Sequence, residues 1–383
     1  MRARVEPFGA WIRLDQPDAL VAVDRARARR LGLDGGALWD HPEPPYRRPA
    51  PLEVHLAVNA RCGVGCEGCY LETTPHGATP SFDELTARLA SLSAAGVFTV
   101  AFGGGEPLLR RDLPELAHHA RSLGLTPVMT TSGSGMTAAR AATLRSFGQV
   151  NVSHDGVAGG YEAVRGVDGA ASAERAIALL SAAGVRVGVN LVLTRANLAH
   201  VEATAAHVRS LGAVEIQLLR FKPAGRAARL DYLARRLTDA QIATIPSLLR
   251  SLTQTSGLGV RVDCSMLPWL ADGDVDPDAL ARLGVLGCEA GRHLAAATVD
   301  GRIAPCSFLG ATDLDVTALP SPADDPALAA IRQHGDSPPA EPCASCPLRH
   351  SCRGGCRAVA AWYGQPDAPD PECPRVRAHH APA

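Results

Sequence analysis

Three cysteines lie close together near the start of the chain. Cys62, Cys66 and Cys69 fall within the stretch NARCGVGCEGCYLE (59–72), and no fourth cysteine lies beside them. A closed structural zinc site takes four ligands, whereas a catalytic metal keeps one position open. This triplet therefore predicts a metal or cluster site with an open position, and a bare zinc site is the alternative.

The other eight cysteines lie in the last third of the chain. They are Cys264, Cys288, Cys306, Cys343, Cys346, Cys352, Cys356 and Cys373. Such numbers in a chain without a secretory signal are more typical of metal or cluster ligation than of a disulfide framework. The alternative is a set of scattered buried thiols.

The composition limits the class of protein. The chain has 383 residues, 46% of them hydrophobic, and a formal net charge of −1. This hydrophobic fraction supplies a sizeable core, and the balanced charge gives no basic footprint for nucleic acid. The sequence contains neither an apolar run of membrane-spanning length nor the apolar segment of a signal peptide. We therefore expect a cytoplasmic protein that binds neither nucleic acid nor membranes.

Strand and helix patterns alternate through the middle of the chain. The six predicted strands are PLEVHLAVN (51–59), VFTVAFGGGEP (97–107), LTPVMTTSG (125–133), QVNVSHDG (149–156), VRVGVNLVLT (185–194) and AVEIQLLRF (213–221). Each is apolar on both faces, as buried parallel strands are. Consecutive βα units predict an α/β barrel or a doubly wound sheet. Functional groups in such folds lie at the carboxyl ends of the strands. The cysteine triplet directly follows the first strand, so we expect it at that end.

The order of these motifs resembles the radical S-adenosylmethionine (SAM) superfamily. The resemblance rests on Cys62, Cys66, Cys69 and Tyr70 after the first strand and on GGGEP (103–107) after the second. It implies a partial (β/α)6 TIM-like barrel in which three thiolates hold a [4Fe–4S] cluster and one iron is left for SAM. The implied chemistry is one-electron cleavage of SAM to a 5′-deoxyadenosyl radical, which takes a hydrogen atom from a substrate carbon.

The resemblance also implies a set of SAM contacts. They are Tyr70, Gly104, Gly105, Glu106, Ser132, Ser153, Arg175 and Asn190. The glycines let the backbone approach a ligand closely, and the motif they form holds the methionine ammonium group in the family. Arg175, in AERAIALL, matches a helix whose arginine faces the methionine carboxylate. The alternatives are a strand-end role for the three polar uncharged residues and a solvated surface position for Arg175.

The C-terminal spacing resembles the SPASM extension of many radical SAM enzymes, which holds two auxiliary clusters. The resemblance assigns three cysteines to the inner cluster, namely Cys288, Cys306 and Cys356. It assigns four to the outer cluster, namely Cys343, Cys346, Cys352 and Cys373. Three [4Fe–4S] clusters with one open iron need eleven thiolates, the number that the chain contains.

Cys264 is the cysteine that this assignment leaves over. It lies 24 residues before Cys288 in RVDCSMLPW, whereas the extra cysteine of fully ligated relatives lies only a few residues before the first. Three roles stay open for it. It completes the inner cluster, lies in the substrate pocket or is a buried free thiol.

The same patterns divide the chain into four parts. Residues 1–50 form a strand and helix segment, 51–222 the partial barrel, 223–287 a bridging region and 288–383 the SPASM module. A hairpin is predicted in TVDGRIAPCSF, with its turn at Asp300-Gly301. Lys222, the only lysine in the chain, is expected at the surface.

The resemblance favours maturation of a ribosomally synthesised peptide or protein side chain by crosslinking, oxidation, decarboxylation or epimerisation. NVSHDG resembles the Ser-x-Asp-Gly stretch of peptide-modifying members. Ser307 follows Cys306 where the sulfatase-activating branch has an aspartate base, which disfavours that reaction. The second hypothesis is an enzyme that modifies a haem or tetrapyrrole precursor. It rests on two stretches that resemble that branch of the family, RFKPAGRA (220–227) and RGGCRAVAAWYGQPDAPDPEC. A non-catalytic iron–sulfur electron carrier is the alternative of another class.

The resemblance implies three partners. They are a precursor peptide or small protein, a flavodoxin- or ferredoxin-type reductant and a separate peptide-recognition protein. Only about 50 residues precede the barrel, fewer than a fused leader-binding domain needs, so a separate recognition protein, or none, is implied.

Overall fold

The computed structural model describes residues 2–40, 50–271, 276–282, 285–318, 328–332 and 339–380. Within these ranges the chain forms a three-stranded antiparallel sheet and a nine-stranded, mostly parallel sheet. None of the helices described there is long and apolar enough to cross a lipid bilayer.

The small sheet lies at the amino terminus. Its strands are β1 (Arg2–Glu6), β2 (Gly9–Asp15) and β3 (Asp18–Asp24), followed by helices α1 (Arg25–Arg30) and α2 (Ala37–Asp40). The sequence predicts a single strand and a helix here, with ALVAVD as part of the helix. That stretch is a strand because it pairs with β2 along its full length, and Asp24 caps the helix that follows.

The large sheet carries the predicted βα units. Its strands are β4 (Glu53–Asn59), β5 (Thr99–Gly104), β6 (Thr126–Thr131), β7 (Gln149–Ser153), β8 (Val187–Leu193), β9 (Glu215–Arg220), β10 (Gly259–Val262), β11 (Leu294–Ala297) and β12 (Ile303–Ala304). Strands β4 to β9 are parallel neighbours in chain order. All six predicted strands are confirmed, and so is the α/β fold. The sheet is open, with β10 at one edge and β12 at the other.

Helices follow the parallel strands and separate them along the chain. They are α3 (Phe82–Ala94), α4 (Leu113–Ser122), α5 (Ala138–Thr143), α6 (Gly160–Arg165), α7 (Ala170–Ala182) and α8 (Val201–Ser210). Ser81 caps α3 in a reciprocal pair with Glu84, which fixes the start of that helix. Their apolar faces join the strands in one continuous core, which includes Leu56, Leu89 and Phe102.

The remaining helices belong to the region after the last parallel βα unit. They are α9 (Tyr232–Arg235), α10 (Asp239–Ile242), α11 (Ile245–Thr255), α12 (Pro277–Arg282), α13 (Arg349–Cys352), α14 (Arg357–Trp362) and α15 (Pro374–His380). All but α11 span seven residues or fewer, so packing against the rest of the chain, rather than helix propensity, holds them in place.

The C-terminal region extends the large sheet beyond its first strand. Strand β11 pairs in parallel with β4 and antiparallel with β12, with Gly301 at φ +90° in the turn, so the predicted hairpin is confirmed. Cys306 follows this hairpin, and Cys264 follows β10 at the opposite edge. The sheet thus brings C-terminal cysteines to the strand ends at both of its edges.

Candidate functional site

The cysteine triplet lies in the loop that leaves the carboxyl end of β4. The amide of Cys62 donates to the Thr74 carbonyl at 2.8 Å. Arg226 holds the other side of the loop, because its guanidinium donates to the carbonyls of Cys66 and Thr73 at 2.8 and 2.9 Å. Burial acts to raise the pKa of Cys69, but hydrogen bonds from Thr73 and Leu71 and the charge of Arg226 together outweigh it and lower that pKa. Burial raises the pKa of Cys62. The loop is therefore held from both sides, and its surroundings favour the thiolate form of Cys69.

The geometry of the cysteines bears on what they can hold. All eleven are free thiols, and among the residues that the structure describes no three His, Cys, Asp or Glu side chains converge on a position for a single metal ion. A lone zinc ion needs its sulfur ligands about 2.3 Å from one point. A cluster sets an iron behind each thiolate, so its cysteines stand farther apart.

The glycine-rich loop after β5 is pressed against the cysteine loop. The amide of Gly105 donates to the Asn59 carbonyl at 2.8 Å, and that of Glu106 donates to the Arg61 carbonyl at 2.7 Å. A Cβ atom on Gly105 would lie 2.0 Å from the Arg61 carbonyl oxygen. Gly104 adds a φ of +101°, which L-residues with side chains rarely adopt. Glycine at these two positions is thus required by the close backbone contact.

We expect Gly105→Ala to lower the free energy of unfolding by about 1–3 kcal/mol, because its new methyl group overlaps the Arg61 carbonyl. Gly103→Ala is the matched control, since a Cβ there has no atom within 4 Å, and its change should stay within about 0.5 kcal/mol. Anaerobic denaturant unfolding measures both. Equal losses in the two variants would contradict the close-contact explanation.

Glu106 and Ser132 are brought together, and they bind each other. The buried Glu106 carboxylate accepts from the Thr131 hydroxyl at 2.6 Å, and from the Ser132 amide and hydroxyl at 2.8 and 2.5 Å. These bonds fix the glycine loop to the end of β6. The Glu106 side chain therefore orients the glycine loop. The part of this loop that can contact a ligand is its backbone.

Ser153 and Asn190 lie opposite each other on β7 and β8. The side-chain amide of Asn190 donates to Thr130 at 3.3 Å. Its Oδ1 atom is buried and has no hydrogen-bond partner among the described residues. A buried acceptor in that state is unusual in a folded protein, so this strand end suits a ligand with a hydrogen-bond donor.

A half-buried arginine that the sequence does not single out faces the cysteine loop. Arg165, at the end of α6, donates from Nε to Asp155 at 2.6 Å, and its other nitrogen lies 3.5 Å from the Cys66 sulfur. Arg175, the predicted carboxylate partner, is exposed on α7. Arg165 was missed because its only sequence signal is its position before the helix-ending Gly166, which has a φ of +70°.

Tyr70 follows the cysteine triplet and reaches toward the C-terminal region. Its ring lies 5.0 Å from that of Phe308, centroid to centroid, and its side chain is 38% exposed. Because Phe308 comes two residues after Cys306, this contact joins the two cysteine-bearing regions.

The C-terminal cysteines fall into two neighbourhoods. Burial raises the pKa of Cys264, and the nearby charges of Cys288 and Cys356 add to that rise. Cys288 and Cys356 act in the same way on Cys306, whose pKa burial raises to about 12. These four cysteines therefore lie close to one another.

The outer group is gathered in the same way. Burial raises the pKa of Cys352, and the charges of Cys373, Cys343 and Cys346 contribute. These are the four cysteines that the sequence assigns to the outer cluster.

The segment that follows β9 links the cysteine regions. Arg220 binds Asp370 and Glu372 next to Cys373, at 2.6 and 2.9 Å. A Cβ on Gly68 would lie 3.3 Å from the Phe221 ring. Lys222 donates to Asp263, beside Cys264, and is 7% exposed. The expectation of a surface position for Lys222 is wrong, because the lysine is covered and paired with a carboxylate from the neighbouring edge strand.

Comparison with known protein families and known proteins shows what this chain is similar to. A family described as the radical SAM superfamily matches residues 56–208. A PqqA peptide cyclase from Streptomyces rochei is 30% identical over 85% of this chain and 89% of its own length. An AdoMet-dependent heme synthase from Oleidesulfovibrio alaskensis is 27% identical over 68% of this chain and 71% of its own length.

A solved structure shares the fold over nearly the whole chain. Streptococcus suis SuiB, crystallised with its precursor peptide SuiA, superposes with a TM-score of 0.75 at 17% identity. The match covers 97% of this chain and 98% of that one. The alignment therefore includes the N-terminal sheet and the C-terminal cysteine region as well as the parallel strands.

Proposed function

This chain belongs to the radical SAM superfamily of enzymes, and we propose that it matures a ribosomally synthesised peptide or protein side chain. The observation that carries the proposal is the loop of Cys62, Cys66 and Cys69, held against the glycine loop with Arg165 beside it. The names of the cyclase relative and of SuiB with its precursor peptide support a peptide substrate.

The cysteine triplet supplies the cofactor site in this proposal. Cys62, Cys66 and Cys69 hold a [4Fe–4S] cluster, which together with SAM supplies one-electron cleavage to a 5′-deoxyadenosyl radical. The absence of a fourth thiolate in the loop leaves room for SAM. Thr73 favours the thiolate form of Cys69 through its hydrogen bonds.

The strand ends position SAM in this proposal. The unpartnered Oδ1 of Asn190 accepts a hydrogen bond from it, and Ser153 on the adjacent strand lies at the same level. Gly104 and Gly105 bring the backbone close to the methionine ammonium group, with Glu106 and Ser132 fixing their loop. Tyr70 stands near the adenine.

Arg165, rather than Arg175, is the proposed partner of the methionine carboxylate. We expect Arg165→Met to weaken SAM binding by about 10- to 100-fold, because a charge-assisted hydrogen bond contributes about 1.5–3 kcal/mol. Arg175→Met is the matched control, since its side chain is exposed. Anaerobic equilibrium titration with SAM measures both. A weaker affinity in the Arg175 variant alone would restore the original assignment.

Two auxiliary clusters complete the proposed cofactor set. The outer one takes Cys343, Cys346, Cys352 and Cys373, all within the module at 288–383. The inner one takes four cysteines, namely Cys264, Cys288, Cys306 and Cys356. The proximity of Cys264 to Cys288 and Cys356 favours its role as the fourth ligand over the other two readings. Residues 223–287 then bridge the barrel at 51–222 to the module and supply one of its ligands.

The proposal extends to partners and location. The reaction needs an electron donor, which we propose to be a flavodoxin or ferredoxin, and a separate protein that helps to recognise the peptide. In the described part of the N-terminal segment, Arg2 and Arg4 of β1 donate to carbonyls near α3 and α4. We propose that the enzyme works in the cytoplasm, without nucleic acid or membrane partners.

Modification of a haem precursor is the second candidate function. The similarity to the heme synthase supports it, although over a smaller share of the chain than the cyclase match. A non-catalytic electron carrier is disfavoured because the chain belongs to the radical SAM superfamily and its relatives include a peptide cyclase.

Product analysis under anaerobic conditions separates these candidates. The reconstituted enzyme is incubated with SAM, dithionite and either a pool of synthetic peptides or a porphyrin precursor. We expect 5′-deoxyadenosine in both, and a mass change in peptides only. A mass change confined to the porphyrin would favour the second candidate. No 5′-deoxyadenosine from protein with its iron in place would overturn the enzyme proposal.

A further inference from the structure

The only lysine of the chain is buried at the end of a central strand. Lys222 lies two residues beyond β9, and its ammonium donates to the carboxylate of Asp263. Asp263 also accepts from the amide of Ser265 at 3.0 Å, and it directly precedes Cys264. Removing an ammonium from water is unfavourable unless a partner offsets it. The Asp263 carboxylate therefore holds the positive charge of Lys222 at this strand end.

The ammonium also contacts the element that follows the C-terminal hairpin. Its Nζ atom lies 4.2 Å from the centroid of the Phe308 ring. Phe308 comes two residues after Cys306 and packs against the apolar group that contains Cys356. The charge thus lies among residues adjacent to three cysteines of the inner group.

The two charges of the ion pair lie close to different cysteines of this group. The Lys222 ammonium lies against the Phe308 ring, two residues from Cys306 and beside the apolar group of Cys356. The Asp263 carboxylate belongs to the residue directly before Cys264. A cation and an anion act on a nearby redox centre with opposite signs.

A buried charge interacts strongly with a neighbouring redox centre, because little water screens it. The potential of an iron–sulfur cluster depends on its surrounding charge and hydrogen bonds. One electron added to an oxidised cluster is stabilised by a nearby cation and destabilised by a nearby anion. No bond forms or breaks in that step, and dithionite supplies the electron in the experiment below.

We propose that Lys222 raises the reduction potential of the inner auxiliary cluster above the value that it would have beside a neutral residue. This inference rests on the proposed assignment of Cys264, Cys288, Cys306 and Cys356 to that cluster. In it, Lys222 is a positioning charge rather than a catalytic residue, and Asp263 holds it in place and moderates its effect.

Redox titration monitored by electron paramagnetic resonance tests the inference. The inner-cluster signal is identified as the one that Cys306→Ala removes from the reconstituted full chain. We expect its midpoint to shift to lower potential in Lys222→Met and to higher potential in Asp263→Asn. Lys222→Arg keeps the charge, so its midpoint should stay near that of the unaltered protein. The outer-cluster midpoint is the internal control and should stay unchanged in all three variants.

The outcomes separate this inference from the function on which it rests. An unchanged inner midpoint in both Lys222→Met and Asp263→Asn would overturn it while leaving the cluster assignment intact. Equal shifts of the inner and outer midpoints would also overturn it, since they indicate a general structural change. An unaltered protein with its SAM-cleaving cluster but no inner signal would overturn the assignment and this inference together. If Lys222→Met does not fold, the rise expected in Asp263→Asn still decides it.

Discussion

Replacing Cys62, Cys66 and Cys69 together with alanine is expected to abolish 5′-deoxyadenosine formation and to leave about eight irons per chain. The reason is that these thiolates are the proposed ligands of the one cluster that meets SAM. The C-terminal cysteines lie in separate neighbourhoods, gathered by other elements of the fold. The two auxiliary clusters should therefore assemble without the thiolates of Cys62, Cys66 and Cys69.

The measurement combines iron analysis with chromatography of the nucleoside products after anaerobic reconstitution. Cys352→Ala is the matched control, since it removes a ligand of the outer group. That variant should still produce 5′-deoxyadenosine without added substrate, although it contains less iron. A triple variant that still cleaves SAM reductively would contradict the assignment of Cys62, Cys66 and Cys69 as ligands of the cluster that meets SAM.

Replacing Arg220 is expected to cause the largest loss of stability of any single change considered for this chain. Arg220 is 3% exposed and forms ion pairs with Asp370 and Glu372, which are also buried. It also donates to the Ser265 carbonyl at 2.9 Å, and its guanidinium lies 4.9 Å from the Trp269 ring centroid. One side chain therefore ties β9 to the bridging region and to the C-terminal module.

Arg220→Met leaves the buried Asp370 carboxylate without its cation and Glu372 with Arg236 alone, which should cost about 3–5 kcal/mol in the free energy of unfolding. Denaturant unfolding under anaerobic conditions measures the loss. Arg186→Met is the control, because Arg186 is exposed and 3.8 Å from Glu215, so its change should stay below about 1 kcal/mol. A triple variant with Asp370→Asn and Glu372→Gln should recover part of the loss. A single variant as stable as the control would show that the Arg220 ion pairs do not hold the two regions together.

The sequence predicts the parallel strands well because each is a short apolar run that only burial on both faces explains. It predicts the cysteine loop and the C-terminal hairpin from local spacing, and both follow the elements expected to carry them. Such features depend on neighbours in sequence, so they are visible before the fold is known.

The features that the sequence does not predict depend on distant partners. Lys222 is buried because Asp263 lies just after the neighbouring strand β10, and Arg220 meets Asp370 across 150 residues of chain. Arg165 and Arg175 lie on the adjacent helices α6 and α7, and only the folded structure shows which of them lies beside the cysteine loop. The N-terminal strand β3 looked helical because its pairing with β2 cannot be seen in its own residues. Tertiary pairing decides each of these cases.

The most direct test of the three-cluster enzyme is iron per chain with Mössbauer spectra after strictly anaerobic reconstitution. The account predicts about twelve irons, all in [4Fe–4S] clusters. It also predicts that Cys264→Ala changes the spectrum of one cluster only, because Cys264 lies in the inner group. About eight irons would mean that one auxiliary assignment is wrong. About four or fewer irons in well-folded protein would contradict the account and leave the C-terminal cysteines to zinc or to no metal at all.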